Sequence, residues 1–194
     1  MPRNGSCSIR ISVPTIEKHR RRHIFARGYG LASALIYHNF VVGCTIVMKR
    51  ARAVSYLPFP TTVVHDHYLA FRAASDGAID YLDTPQISYR IYGGNQTGVM
   101  QHVKTKHDYK VQRIDAFASR LQAFGQSATL PALSEATAWG LARIENFHRK
   151  RGGMRKLYRL RQLNPATTWF ELIVCRLPAP LFRFAVGLIR RGWL

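Results

Sequence analysis

Three places in this 194-residue chain set polar or small residues where they can act on a ligand. His65-Asp66 follows the segment Leu57-Pro58-Phe59-Pro60, and a carboxylate there can cap a helix or take a proton from a bound hydroxyl. Gly43-Cys44-Thr45 interrupts an apolar run, where a glycine lets backbone or ligand approach closely and a small thiol and hydroxyl follow it. Tyr89-Arg90-Ile91-Tyr92-Gly93-Gly94-Asn95 precedes a further glycine at Gly98, and the planar fork of Arg90 suits a diphosphate as well as it suits water. Each feature also has a plain structural reading: a helix cap for Asp66, a solvated neighbour for His65, a strand bulge with a buried thiol for Gly43 and Cys44, a surface cation for Arg90.

These residues need elements to hold them. Phe40 to Met48 is rich in β-branched residues and has the length of a buried strand. Two prolines make residues 57–60 irregular, because each removes an amide donor and biases the residue before it away from helix. A helix is expected to open at His65-Asp66, with Leu69, Ala70 and Ala73 at helical spacing, and to stop at Gly77. Ala78 to Leu82 and Gln86 to Ile91 read as short strands split by Asp83-Thr84-Pro85, and strand alternating with helix argues for an α/β fold. Lys106 to Phe124 and Leu133 to Arg151 read as helices, with a loop from Gly125 to Pro131 between them and Gly152-Gly153 as the stop. The expected division is a basic lead-in over 1–34, a central domain over 35–105 and a basic amphipathic helical region over 106–194.

Charge follows the same division. The chain carries a formal +19, yet residues 51–100 hold three Lys+Arg against four acids, while residues 101–194 hold seventeen against five. A near-neutral centre between cationic ends suits a binding or catalytic core tethered to an anionic surface. The cations alternating with Leu, Trp and Phe over the last forty residues read as a membrane-surface element. The apolar tract from Leu177 to Leu188 is too short and too broken to span a bilayer, and no secretory leader is legible, so the expected place is cytoplasmic, at the inner face of a membrane. Cys7, Cys44 and Cys175 form no C-x-x-C pair and have no histidines at zinc-ligand spacing, so no structural metal is expected.

Taken in order, the G-C-T run, the L-P-F-P segment, the H-D pair with a leucine three residues on, the D-T-P turn and Y-R-x-Y-G-x-N-x-x-G resemble the second half of family 2 glycosyltransferases of the rhamnosyltransferase type. The resemblance covers roughly residues 35 to 98. It implies a partial GT-A sheet followed by a C-terminal helical region. It also implies inverting transfer of a sugar from a nucleotide sugar to a saccharide or lipid-linked acceptor. Asp66 would be the general base, with Gly43, Cys44, Thr45, His65, Arg90, Tyr92 and Asn95 at the substrate. A divalent cation, Mg or Mn, belongs to the family pattern, but Tyr92 stands where that pattern has histidine, and a neutral phenol is a poor ligand for a hard cation. The family's donor half, with its D-x-D motif, has no counterpart upstream of residue 40, so donor binding is expected from a separate half. The competing reading is a non-catalytic basic protein that binds nucleic acid or an anionic membrane through its ends.

Overall fold

Helices and turns supply the regular structure of the described residues, which are 27–82, 100 and 102–190 of a computed structural model. They belong to two units, one built from residues 27–82 with Ala123–Leu130, the other from residues 100, 102–122 and 131–190.

In the first unit, α1 (Ala32–Tyr37) and α3 (His65–Asp76) carry most of the core, and α2 (Arg50–Ser55) lies between them in sequence. Helix α3 opens where the prolines release the chain and stops at Gly77. Its buried residues His67, Ala70, Phe71 and Ala74 recur at three- and four-residue spacing, the period of one helix face. That face meets Leu35 and Ile36 of α1, and Phe71 stacks flat on Phe124 with ring centroids 3.8 Å apart. The His67 ring donates to the Leu35 carbonyl, so the buried imidazole holds α1 on α3. Asp76, at the far end of α3, accepts from the Tyr56 hydroxyl at 3.0 Å and pairs with Arg52 at 3.4 Å, which ties down α2.

The expected α/β fold with a partial GT-A sheet is overturned: no strand or sheet occurs among the described residues. The run from Phe40 to Met48 is extended only in part, and Gly43–Thr45 closes a single 3₁₀ turn. β-branched residues favour a strand only where a neighbour completes the ladder, and none does so here. Thr45 N–H instead bonds back to Val42 O at 2.9 Å, and Gly43 N–H is spent on a side chain. Of the expected Ala78 to Leu82 strand, one antiparallel bridge remains, Ile79 with Gly28. The expected strand from Gln86 to Ile91 lies outside the described residues.

The second unit is a set of helices: α4 (Lys106–Tyr109), α5 (Ala116–Ser127, whose last turns pack in the first unit), α6 (Pro131–Phe147), α7 (Gly153–Arg159), α8 (Pro165–Ile173) and α9 (Ala179–Arg190). Thr105 and Asp108 form a reciprocal capping box at the start of α4, and Asn164 caps α8 through Thr167 N–H. Between α4 and α5 the backbone widens to π geometry over Lys110–Asp115, and the Lys110–Asp115 ion pair at 2.7 Å joins the two ends of that segment.

The expected stop at Gly152-Gly153 is shifted. Helix α6 already ends at Phe147, and Gly153 instead begins α7 close against α6, where a Cβ would lie 2.7 Å from the backbone carbon of Glu145. Tyr109, Ile114, Val103, Phe182 and Val186 form one buried cluster. Trp139 of α6 is also buried, and its indole donates to the Thr168 hydroxyl at 3.0 Å.

Candidate functional site

Asp66 sits in the first turn of α3, where a carboxylate is favoured by the helix dipole. It does not cap the helix: the N-cap is Val64, and no side chain caps there. Its two oxygens are engaged from elsewhere in the chain. Oδ1 accepts from Asn39 Nδ2 at 3.0 Å, and Oδ2 accepts from Gly43 N–H at 3.1 Å. A carboxylate offers about four lone-pair sites, so one further donor on each oxygen is compatible with this arrangement, and the residue is only half-buried.

Asn39 is in turn fixed, since its Oδ1 accepts from Val41 N–H at 3.0 Å. The 3₁₀ turn is closed by the Thr45 hydroxyl, which donates to Val42 O at 2.7 Å. Thus two stretches more than twenty residues apart in sequence are joined at one carboxylate.

Gly43 explains how they come so close. A Cβ at that position would lie 3.2 Å from His65 Nε2, close enough that the imidazole would have to shift by a few tenths of an ångström, and 3.4 Å from Asp66 Oδ2, an ordinary contact. The glycine was expected to admit a close approach, and what approaches is the His65-Asp66 pair. Cys44 is exposed with a free thiol, and His65 is exposed beside the turn. Thr45 is buried with its hydroxyl used inside the turn, so it braces the site from behind. Arg90, Tyr92 and Asn95 lie outside the described residues.

Asn39 is the residue that sequence reasoning missed. A lone asparagine twenty-seven residues before its partner carries no spacing signal. Asp66 lines neither of two cavities found in the structure. One, of about 280 Å³ in the first unit, is bounded by Pro58, Phe59, Pro60, Tyr68, Arg72 and Gln126 among others. The other, of about 230 Å³ in the second unit, is bounded by Lys106, Asn146, Glu171, Cys175 and Arg176 among others. Among the described residues no three histidine, cysteine or carboxylate side chains gather as a metal's ligand set.

No family model, curated protein or solved structure matches this chain.

Proposed function

We propose that this chain carries the acceptor side of an inverting sugar transfer, with Asp66 as the general base that takes the proton of the attacking hydroxyl. The single observation that supports the reading is the placement of that carboxylate. It opens a helix, is held by Asn39 and by the Gly43 amide, spends nothing on capping, and stands next to His65 on an accessible face.

In the proposed step the acceptor hydroxyl donates to Asp66 while its oxygen forms the new bond to the anomeric carbon. The bond from that carbon to the nucleoside diphosphate breaks, and the diphosphate leaves with the electron pair. Asp66 ends the step protonated. A base must lie within about 3 Å of the proton it removes and keep one orientation while doing so. Two donors from one stretch, Asn39 and the Gly43 amide, supply that orientation here. His65 would hydrogen-bond the acceptor sugar, and Gly43 and Cys44 would border it. The donor is a nucleotide sugar presented by a separate donor-binding half, and the acceptor is a saccharide or a lipid-linked saccharide. The reading rests on this site and on the motif order, not on a sheet.

The test is transfer from radiolabelled nucleotide sugars to a lipid-linked saccharide by the chain joined to a donor-binding half. Asp66→Asn should lower the rate by roughly 10²–10⁴-fold, the usual weight of a general base. Transfer at an undiminished rate in that variant ends the reading.

A further inference from the structure

Helix α9 is apolar on two sides, and its own unit uses one of them. Phe182 and Val186 are buried, with Phe182 against Tyr109 and Phe170. Leu181, Phe184 and Leu188 recur at i, i+3 and i+7, which sets them on a second stripe of the same helix. Phe184 is 66% exposed and Leu181 51%, with Leu188 half-buried. Helix α8 repeats the pattern more briefly: Thr168 and Glu171 are buried, while Trp169 and Ile173, four residues apart, are 46% and 56% exposed. Single exposed apolar residues are ordinary on a protein surface, but a second stripe with helical period asks for a partner.

Charge selects the partner. From Arg149 to Arg190 the chain carries ten Lys+Arg and one acid, and that acid, Glu171, is buried against Arg143. Arg183, next to Phe184 in sequence on α9, is exposed. A second copy of this face would bring like cations together as the apolar stripes met. An anionic lipid surface meets both demands at once, since headgroups take the cations and the acyl boundary takes Phe, Leu and Trp. Twelve residues rise about 18 Å at 1.5 Å each, well short of the ~30 Å hydrocarbon core, so α9 would lie in the plane of the interface.

We propose that the outer stripe of α9, Leu181, Phe184 and Leu188, assisted by Trp169 and Ile173 of α8, seats this chain on the surface of an anionic bilayer. The proposal stands independently of the sugar-transfer reading. It would also bring the protein to the surface where a lipid-linked acceptor resides.

The experiment is sedimentation of the full chain with vesicles of phosphatidylglycerol and phosphatidylcholine in equal parts, and with phosphatidylcholine alone. The wild type should sediment with the first and far less with the second. Leu181→Ser/Phe184→Ser alters exposed positions only and should keep the wild-type thermal melt while lowering partitioning by at least about tenfold. If the double variant melts early, Phe184→Ser alone decides by the same criterion. Arg183→Ala should lower partitioning about fivefold, the weight of one cation near such a surface. Failure to sediment, equal sedimentation with both vesicles, or binding untouched by the serine variants would overturn the proposal. So would light scattering that shows a dimer dissolved by the serine variants without vesicle binding, or association with duplex DNA in place of lipid.

Discussion

Two carboxylates in this molecule are held in opposite ways. Asp66 of the first unit is half-buried and takes one donor on each oxygen, both neutral, from the stretch Asn39 to Gly43 outside its helix. Glu171 of the second unit is buried, and a single oxygen takes Arg143 Nε at 2.9 Å, Arg143 Nη2 at 2.6 Å and the Tyr109 hydroxyl at 2.8 Å. Arg143 is itself wedged over Trp139, 4.5 Å from the ring centre. A desolvated ion pair of this kind is a structural knot, because removing one partner strands the other charge in the interior. The first arrangement fixes a carboxylate while leaving it open to a ligand, which is what an acid–base group requires and a structural one does not.

The comparison breaks most visibly if Arg143 is replaced. Arg143→Met should destabilise the second unit by about 3–5 kcal/mol, since Glu171 remains buried without its partner. Asp66→Asn should cost within about 1 kcal/mol by the same urea titration, a partly exposed hydrogen bond being worth no more. Equal losses in the two variants would erase the distinction drawn between the sites. Next in size is Gly153→Ala. The added methyl meets the backbone of Glu145 and Asn146 rather than a movable side chain, so a loss of up to about 3 kcal/mol is expected in the same titration.

Alkaline pH sharpens the contrast further. Burial, and then the charge of Glu171, push the Cys175 thiol up to about 12 from its ordinary 9.0. Burial, followed by Glu171, also raises Tyr109 well above its ordinary 10.0. Both groups bind their protons more tightly when folded. The stability they contribute is therefore fully present below about pH 9 and is lost as pH rises towards the folded values, by about 2 kcal/mol from Cys175 alone near pH 10.5. Thermal melts from pH 8 to 11 should fall accordingly, and Cys175→Ser should remove part of the decline. Smallest is Asn39→Ala, which deletes one donor to Asp66. It should slow transfer about fivefold, equivalent to roughly 1 kcal/mol, and leave the melt nearly unchanged. A lowered melt with transfer intact would make Asn39 a structural residue rather than a positioning one.

Helix α3 was legible from local signals, since Pro58 and Pro60 forbid helix before it, Asp66 suits its first turn and Gly77 follows its end. The helical stretches around α5 and α6 were legible from the same kind of signal, apart from the π segment and the break between Phe147 and Gly153, while the bounds of α7, α8 and α9 were not. The stretch from Phe40 to Met48 was not. Its composition favours a strand, but strand formation depends on a partner that sequence does not name. The pairing of Gly43 with Asp66 was half-legible: the glycine signalled a close approach, and only the fold showed to what. Asn39 and the Arg143–Glu171 pair left no local trace, because a single polar residue looks the same whether solvated or buried.

By itself the sequence determined where α3 begins and ends, how cations are distributed, and that a carboxylate opens α3 after a proline-rich segment. These depend on neighbours within a few positions, where backbone donors, fixed φ angles and helical period act directly. The tertiary structure alone decided that Asp66 faces Asn39 and the Gly43 amide. It alone decided that Glu171 is sealed against Arg143 and that α9 keeps a second apolar stripe outside its core. Burial and hydrogen-bond partnership arise between residues tens of positions apart, and they are set by which surfaces the packed helices bring together.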